Sequence, residues 1–280
     1  RLANRNNLPV ILQIDDNWIE MEKRHANYLQ MPFLLRYAKN QCKDLISRIT
    51  RGFTVSSTLR KIIGKEWGAD VGNIETIYNG VDPNKFRSKR KKQSLIEKYN
   101  LDGKVMVFVG NLGPWHGIEN LLKSVPLLKE DFPDLSVLIV GGENRDVKRY
   151  DKWSENEVIF TGKVPYNQVP DYINLADLCV APYPDIDYGF CPFKILEYMS
   201  CEKPVLCSDL PSLREIVTED TGIFFKAGDH RHLAQKTKEA FNSDLKMLGK
   251  RARKRIKRKF TWKKSTDKLI KLYEDSIENY

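Results

Sequence analysis

The sequence predicts an α/β protein built on parallel sheets, with a Rossmann-like domain downstream and a less complete domain of the same kind upstream. Three observations carry that expectation. From Val105 onward, short apolar runs alternate with helix-length segments of three- and four-residue hydrophobic period. The runs are continuously apolar, as strands buried on both faces require. Two of them close on glycine, at Gly110 and at Gly141-Gly142, where a strand-to-helix loop can turn sharply. Alternation of this type implies a sheet covered by helices on both sides.

The elements follow in order. Val105–Val109 is the first strand of the downstream series, and Ile118, Leu121, Leu122, Val125 and Leu128 then fall at helical spacing. Further strands are expected over 135–140, 158–160, 178–181, 205–207 and 223–225, each separated by a helix-length segment. Upstream, 10–14 reads as a strand and 34–49 as a helix. A short strand over 53–55 ends at Ser56-Ser57, and Ser57 or Thr58 is placed to cap the next helix. A strand over 74–78 turns at Asn79-Gly80. Segment 82–93, with Pro83 and a dense basic cluster, reads as an interdomain linker. Three strands are too few for an independent doubly wound domain, so the N-terminal domain is expected to be incomplete in this chain.

Length and composition set the bounds. A chain of 280 residues is comfortable for two domains, and 41% hydrophobic residues can fill two cores. No window approaches about 20 uncharged apolar residues, so no spanning helix is expected. The start lacks an initiator Met and a signal-peptide core, and reads as the middle of a longer polypeptide. The five cysteines are odd in number and contain no C-x-x-C pair; with four scattered histidines they suggest neither a zinc site nor a disulfide framework. A reducing, cytoplasmic setting is expected. The net charge of +10 is local: residues 246–264 hold eleven Lys or Arg and no acid, and the remainder has 36 basic against 37 acidic residues. Leu245, Leu248, Ala252, Ile256 and Phe260 mark the buried stripe of a helix whose other face is cationic. Three uses stay open for that face: an anionic membrane surface, nucleic acid, or plain solvation. No aromatic interleaving or nucleic-acid motif supports the second.

Two segments carry chemistry. In Gly189-Phe190-Cys191-Pro192-Phe193-Lys194-Ile195-Leu196-Glu197, a turn leads into a helix whose first amides and dipole suit an anion. Lys194 and Glu197, three residues apart, share a helix face. They are either a cation for a diphosphate beside a carboxylate for sugar hydroxyls, or a surface ion pair of little value. Gly110-Asn111-Leu112-Gly113-Pro114-Trp115-His116-Gly117 again lies between strand and helix, and His116 offers a hydrogen bond or a proton. Its spacing departs from the dinucleotide fingerprint, which argues against a nicotinamide cofactor.

In order along the chain stand Val55-Ser56-Ser57-Thr58-Leu59, then Ile77-Tyr78-Asn79-Gly80-Val81-Asp82-Pro83-Asn84-Lys85-Phe86, then Phe108-Val109-Gly110 with Pro114-Trp115-His116-Gly117. Leu138-Ile139-Val140-Gly141-Gly142, Ile159-Phe160-Thr161-Gly162-Lys163-Val164, Ala176-Asp177-Leu178-Cys179-Val180-Ala181-Pro182, the Gly189 segment and Phe260-Thr261-Trp262 complete the series. The array resembles glycosyltransferase family 4 (glycosyl transferases group 1), retaining enzymes of the GT-B fold, over nearly the whole chain. The resemblance implies two Rossmann-like domains with parallel sheets. The C-terminal one would bind a nucleoside-diphosphate sugar, the donor substrate, with no separate cofactor and no metal. Glu197 matches the second acid of the family's E-x7-E pattern, which holds the ribose. The backbone at Gly189, Phe190 and Cys191 matches the diphosphate-facing turn, and Lys194 a lysine present in a subset of members. Gly110, Asn111, His116 and Gly117 match the first phosphate loop, and Lys163 and Val164 the nucleobase-facing loop. Asn79, Gly80 and Asp82 match the hinge-side signature.

Three departures accompany the resemblance. The first acid of E-x7-E falls at Gly189, and Asp187 substitutes only if the loop is shifted. Asn111 and His116 stand where the first phosphate loop normally carries arginine and lysine; a phosphate nearby should favour charged His116. The portion of a typical member before Arg1, with its glycine-rich loop and much of the acceptor pocket, is expected to be missing. Asp15-Asp16-Asn17-Trp18 lies where members place cleft-facing residues, or simply ends a strand in solvent. Asp185-Ile186-Asp187 is a D-x-D triplet in a setting foreign to the metal-binding version. The expected organisation is 1–88 acceptor-side domain and linker, 89–260 donor-binding domain, and 261–280 a helix returning to the first. The expected activity is retaining sugar transfer, with Lys194, His116 and Glu197 as catalytic groups; the alternative is a nucleotide-sugar-binding module without turnover. A glycan or lipid acceptor, an anionic membrane inner face met by residues 246–264, and no nucleic acid are the expected partners.

Overall fold

The computed structural model describes residue 6 and residues 8–20, 32–150, 153 and 158–278. The extreme start of the chain lies outside the described residues. Packing divides the chain into two units, Arg1–Gly80 with Asp187–Cys191 and Trp262–Tyr280, and Val81–Ile186 with Pro192–Thr261.

The first unit holds a parallel sheet in the order β1 (Ile11–Ile14), β2 (Arg51–Thr54), β3 (Ile74–Thr76). Helix α1 (Pro32–Ile46) precedes β2, and α2 (Ser57–Trp67) follows it. Ser56, one residue ahead of the two expected capping positions, is the N-cap of α2: its backbone is extended and its Oγ accepts from Leu59 N at 2.9 Å. Ser57 already belongs to the helix, so its hydroxyl cannot take that geometry. Leu272 of α11 (Trp262–Glu278) packs with Phe53 and Ile77 in a small apolar cluster.

The second unit begins with α3 (Gln93–Tyr99) and carries six parallel strands. These are β4 (Val105–Val109), β5 (Ser136–Val140), β6 (Val158–Gly162), β7 (Leu178–Ala181), β8 (Val205–Ser208) and β9 (Ile223–Phe225). Their spatial order, β6-β5-β4-β7-β8-β9, is the doubly wound order in which the chain starts at the centre and works outward in both directions. Every residue of β5, β7 and β8 is buried, which is why those runs are apolar without alternation. The crossovers are α4 (Ile118–Lys129), α5 (Asn144–Lys148), α6 (Val169–Leu175), α7 (Phe193–Ser200) and α8 (Pro211–Ile216). α9 (His230–Phe241) and α10 (Leu245–Lys259) complete the unit. The five apolar positions of α4 foreseen from its period are all fully buried.

The basic segment 82–93 is fastened to α6 and β7. Lys89 pairs with Asp171 at 3.1 Å and Lys91 with Asp177 at 2.8 Å, while Asn174 binds both Lys89 N and Arg87 O. In α10, Ala252, Ile256 and the C-cap Phe260 are buried as the period requires. Two cations of its supposed outer face turn inward instead. Arg253 donates to the carbonyls of Pro83, Phe86 and Ser200, and Arg255 to those of Glu215 and Ile216. No helix among the described residues is long and apolar enough to cross a membrane.

Candidate functional site

In an open parallel sheet, neighbouring strands whose crossovers run in opposite directions leave a crevice beyond their carboxyl ends. Here that point lies between β4 and β7, which pair through Met106–Leu178 and Val107–Cys179. The loop Gly110–Gly117 leaves β4, and the chain after Ala181 leaves β7 and returns as α7.

Close approach of these segments explains two glycines. Gly110 has φ 147°, and a Cβ there would sit 2.8 Å from Lys194 Nζ. Gly117 has φ 65°, and its Cβ would lie 1.8 Å from Pro182 O, an impossible contact. Between them, Pro114–His116 forms a single 3-10 turn before α4 begins. Asn111 shapes the loop by accepting from Gly113 N at 3.1 Å through Oδ1, and its side chain is exposed.

Lys194 is the centre of the cluster, only 8% exposed. Its Nζ lies 4.1 Å from the Phe108 ring centroid, 5.4 Å from that of Tyr183, and 3.3 Å from His116 Nδ1. His116 in turn meets the edges of the Phe108 and Tyr183 rings. Burial pushes Lys194 down to about 7, against the pull of Glu197. Burial and then the neighbouring Lys194 push His116 down to about 3. That environment keeps His116 neutral, as a hydrogen-bonding imidazole. When Lys194 is an ammonium it has no lone pair, so it donates to Nδ1 and the imidazole proton sits on Nε2.

Glu197, one turn further along α7, is 6% exposed. Its Oε1 accepts from Tyr166 Oη at 2.9 Å. Burial raises the carboxyl above its ordinary value, while the Tyr166 bond, Lys194 and Lys85 pull it back. α7 is anchored to β4 by Tyr198, whose Oη accepts from Val109 N at 2.6 Å. No side chain caps α7 at Pro192.

The structure thus brings together Gly110, His116 and Lys194, with Gly117 bracing the loop against Pro182 and Glu197 on the same helix as Lys194. Lys163 is exposed and Val164 half-buried on the loop after β6, the loop that also carries Tyr166. Tyr166 and Tyr183 carry no sequence signal of their own, while Lys85 and Phe108 lie inside motifs of the series without being singled out by them.

Gly189, Phe190 and Cys191 belong to the first unit. There Ser56 Oγ donates to Gly189 O at 2.7 Å and Asn79 Nδ2 to Cys191 O at 2.8 Å. Gly189 has φ 79°, and a Cβ would come within 2.4 Å of Leu59 Cα, so this backbone admits no acid at the first E-x7-E position. Asp187 is turned onto its own loop, where Oδ1 accepts from Gly189 N at 2.8 Å. Among the described residues no group of three or more His, Cys, Asp or Glu is placed to share a metal ion.

The family profile "Glycosyl transferases group 1" matches residues 103–243. An uncharacterized glycosyltransferase of Methanocaldococcus jannaschii is 29% identical over 245 residues, covering 85% of this chain and 62% of its own. The putative teichuronic acid biosynthesis glycosyltransferase TuaH of Bacillus subtilis is 27% identical over 244 residues, covering 83% and 60%. The chain therefore spans less than two thirds of the length of either relative. Among solved structures, Anabaena HepE in complex with UDP and glucose superposes with a TM-score of 0.79 at 18% identity, over 97% of this chain and 73% of that one. Sucrose-phosphate synthase from Thermosynechococcus elongatus gives 0.81 at 19%, over 100% and 70%. Both share the arrangement of parallel α/β layers described above.

Proposed function

The chain belongs to the glycosyl transferases group 1 family, and from that premise we propose that it transfers a sugar from a nucleoside-diphosphate sugar to an acceptor hydroxyl with retention of configuration. The observation that carries this reading is the Lys194–His116 pair beside Gly110, beyond the carboxyl ends of β4 and β7. The bond between the anomeric carbon and the diphosphate breaks with its electrons on the diphosphate; the acceptor oxygen forms the new bond on the same face, and the hydroxyl proton it sheds passes to an oxygen of the departing diphosphate. Stabilising the departing charge is the main task, and fixed donors in a dry site do this best. Lys194 supplies the positive charge, His116 a hydrogen bond, and the first amides of α7 their dipole. Glu197 orients the ribose, and Lys163 and Val164 face the base. With Lys194 in that role, turnover needs no divalent cation and survives chelation.

HepE is described with UDP and glucose, which supports a uridine nucleotide as the first donor to try. TuaH's name supports a cell-surface or lipid-linked glycan as acceptor. In this reading residues 1–88 form the acceptor side, 89–260 the donor side, and 261–280 return to the first. Attachment to the inner face of an anionic membrane is supported by α10. Its Lys246, Lys250, Lys254 and Lys257 are exposed, fall within one arc of the helix, and pair with no carboxylate among the described residues. Sedimentation with phosphatidylglycerol but not phosphatidylcholine vesicles, abolished by raised salt, is the expected result.

A thermal-shift series with UDP, GDP and ADP sugars, followed by an NMR assay of the anomeric product, tests the transferase reading. Stabilisation by none of them, or an inverted product, rejects it. Gly189 favours a second reading, a nucleotide-sugar-binding module without turnover, which predicts donor binding with neither transfer nor donor hydrolysis.

A further inference from the structure

Tyr166 stands on the loop after β6 with its residue surface 58% exposed, yet its hydroxyl reaches a carboxylate that is almost wholly buried. Its ring rests on a platform supplied by segment 81–89. Lys85 Nζ lies 3.8 Å from the ring centroid, and the Phe86 ring lies 5.5 Å away, tilted by 52°. That platform is itself held. Phe86 O accepts from Ser200 Oγ at 2.6 Å and from Arg253 at 3.1 Å, Pro83 O accepts from Arg253 at 3.0 Å, and Phe86 N donates to Asp82 O at 2.9 Å. An exposed tyrosine with this support gives up little further freedom on binding. The bond it makes occupies one oxygen of Glu197 only; Oε2 accepts no hydrogen bond from any described residue.

We propose that Tyr166, seated on Lys85 and Phe86, is a positioning residue: it fixes Glu197 through Oε1 and leaves Oε2 as the acceptor for the vicinal hydroxyls of a nucleotide ribose. The proposal rests on the nucleotide-sugar reading of the site. Tyr166 also keeps that acceptor ionised. The charged groups facing Glu197 are Lys194 from its own helix and Lys85 from segment 81–89, with Tyr166 facing it from the β6 loop; all three lower a carboxyl that burial raises. Removing the hydroxyl shifts the carboxyl upward, so protonation spoils Oε2 as an acceptor at a higher pH than in the parent protein.

The experiment uses the full chain, its Tyr166→Phe variant, which keeps the ring, and Lys85→Met, which keeps the chain length. The Glu197 carboxyl is titrated by carbon-13 NMR, and binding of UDP, GDP and ADP is measured at pH 6 and pH 8. In Tyr166→Phe the midpoint rises by about one unit. Affinity falls about tenfold at pH 6 and about threefold at pH 8. Lys85→Met moves both in the same direction by less, and decides the matter should Tyr166→Phe not fold. An unmoved midpoint, or an equal loss at both pH values, overturns the proposal, because a ring that only packs gives no pH signature. Wild-type protein that binds none of the three nucleotides overturns the nucleotide-sugar reading and the ribose role with it. Wild-type binding beside an unmoved midpoint removes the Tyr166 assignment alone.

Discussion

Lys194 Nζ lies 3.3 Å from His116 Nδ1 in a pocket walled by Phe108 and Tyr183. Two bases that share one proton in a dry setting are poised to take up another when an anion arrives. Burial holds Lys194 near 7, so a diphosphate beside it raises that value and draws in a proton. Lysine is mostly cationic below pH 7 and binding is strongest there, whereas above pH 7 each bound diphosphate must bring a proton with it. Calorimetry of UDP binding at pH 8 in two buffers of different ionisation enthalpy is expected to give net uptake of up to one proton. Zero uptake at that pH places the lysine away from the phosphates.

Lys194→Met is the sharper probe of the same group. Its neighbours are aromatic, so a thioether fits the cavity and removes a buried charge with little structural cost. Turnover is expected to fall by about 100-fold or more, the scale set by loss of one preorganised donor to a developing anion. The thermal midpoint should hold or rise at pH 7. Wild-type turnover in a folded variant removes Lys194 from the chemistry.

How much of this was legible in the sequence differs from element to element, for physical reasons. β4 was located to the residue because a centrally buried strand must be apolar throughout. Lys194 and Glu197 were visible as a pair because three residues of helix fix their shared face. The sequence offers Ser57 or Thr58 as the α2 cap where the structure uses Ser56, since all three carry a hydroxyl and only backbone conformation picks the capping residue. Tyr166 and Glu197 stand 31 residues apart, and their meeting depends on the sheet order, which no local pattern encodes. Arg253 and Arg255 read as surface charge because a helical period locates Cα positions and is silent about how far a guanidinium reaches back.

Gly117 and Gly162 form a matched pair for testing backbone strain against steric contact. Their φ angles are 65° and 67°, so an alanine suffers the same left-handed penalty at either, about 1 kcal/mol. A Cβ at Gly162 meets nothing within 4 Å, whereas at Gly117 it runs into the Pro182 carbonyl. Gly162→Ala is therefore expected to cost about 1 kcal/mol in a denaturant titration. Gly117→Ala should cost about 3 kcal/mol or more and loosen the Gly110–Gly117 loop. Equal costs at the two sites dismiss the close contact as the reason for Gly117.

The cations of α10 divide into those that hold the unit together and those that face solvent, and stability measurements separate them. Arg253 joins the carbonyls of Pro83, Phe86 and Ser200 and lies 3.6 Å from Glu202, so one guanidinium ties segment 81–89 to the end of α7. Lysine offers a single point of donation and cannot span three carbonyls in different directions. Arg253→Lys is accordingly expected to lose about 2 kcal/mol, and Arg253→Met more, because carbonyls left unpaired in a half-buried site keep their desolvation cost. Lys250→Gln and Lys254→Gln, whose side chains are exposed and pair with no carboxylate among the described residues, should stay within about 0.5 kcal/mol of the parent while weakening vesicle binding. The platform under Tyr166 shares the Phe86 carbonyl with Arg253, so Arg253→Lys should also weaken nucleotide binding in a pH-dependent manner, through Glu197. Chemical denaturation and UDP titration of the same samples check both statements, and an Arg253→Lys protein as stable as the parent refutes the anchoring role.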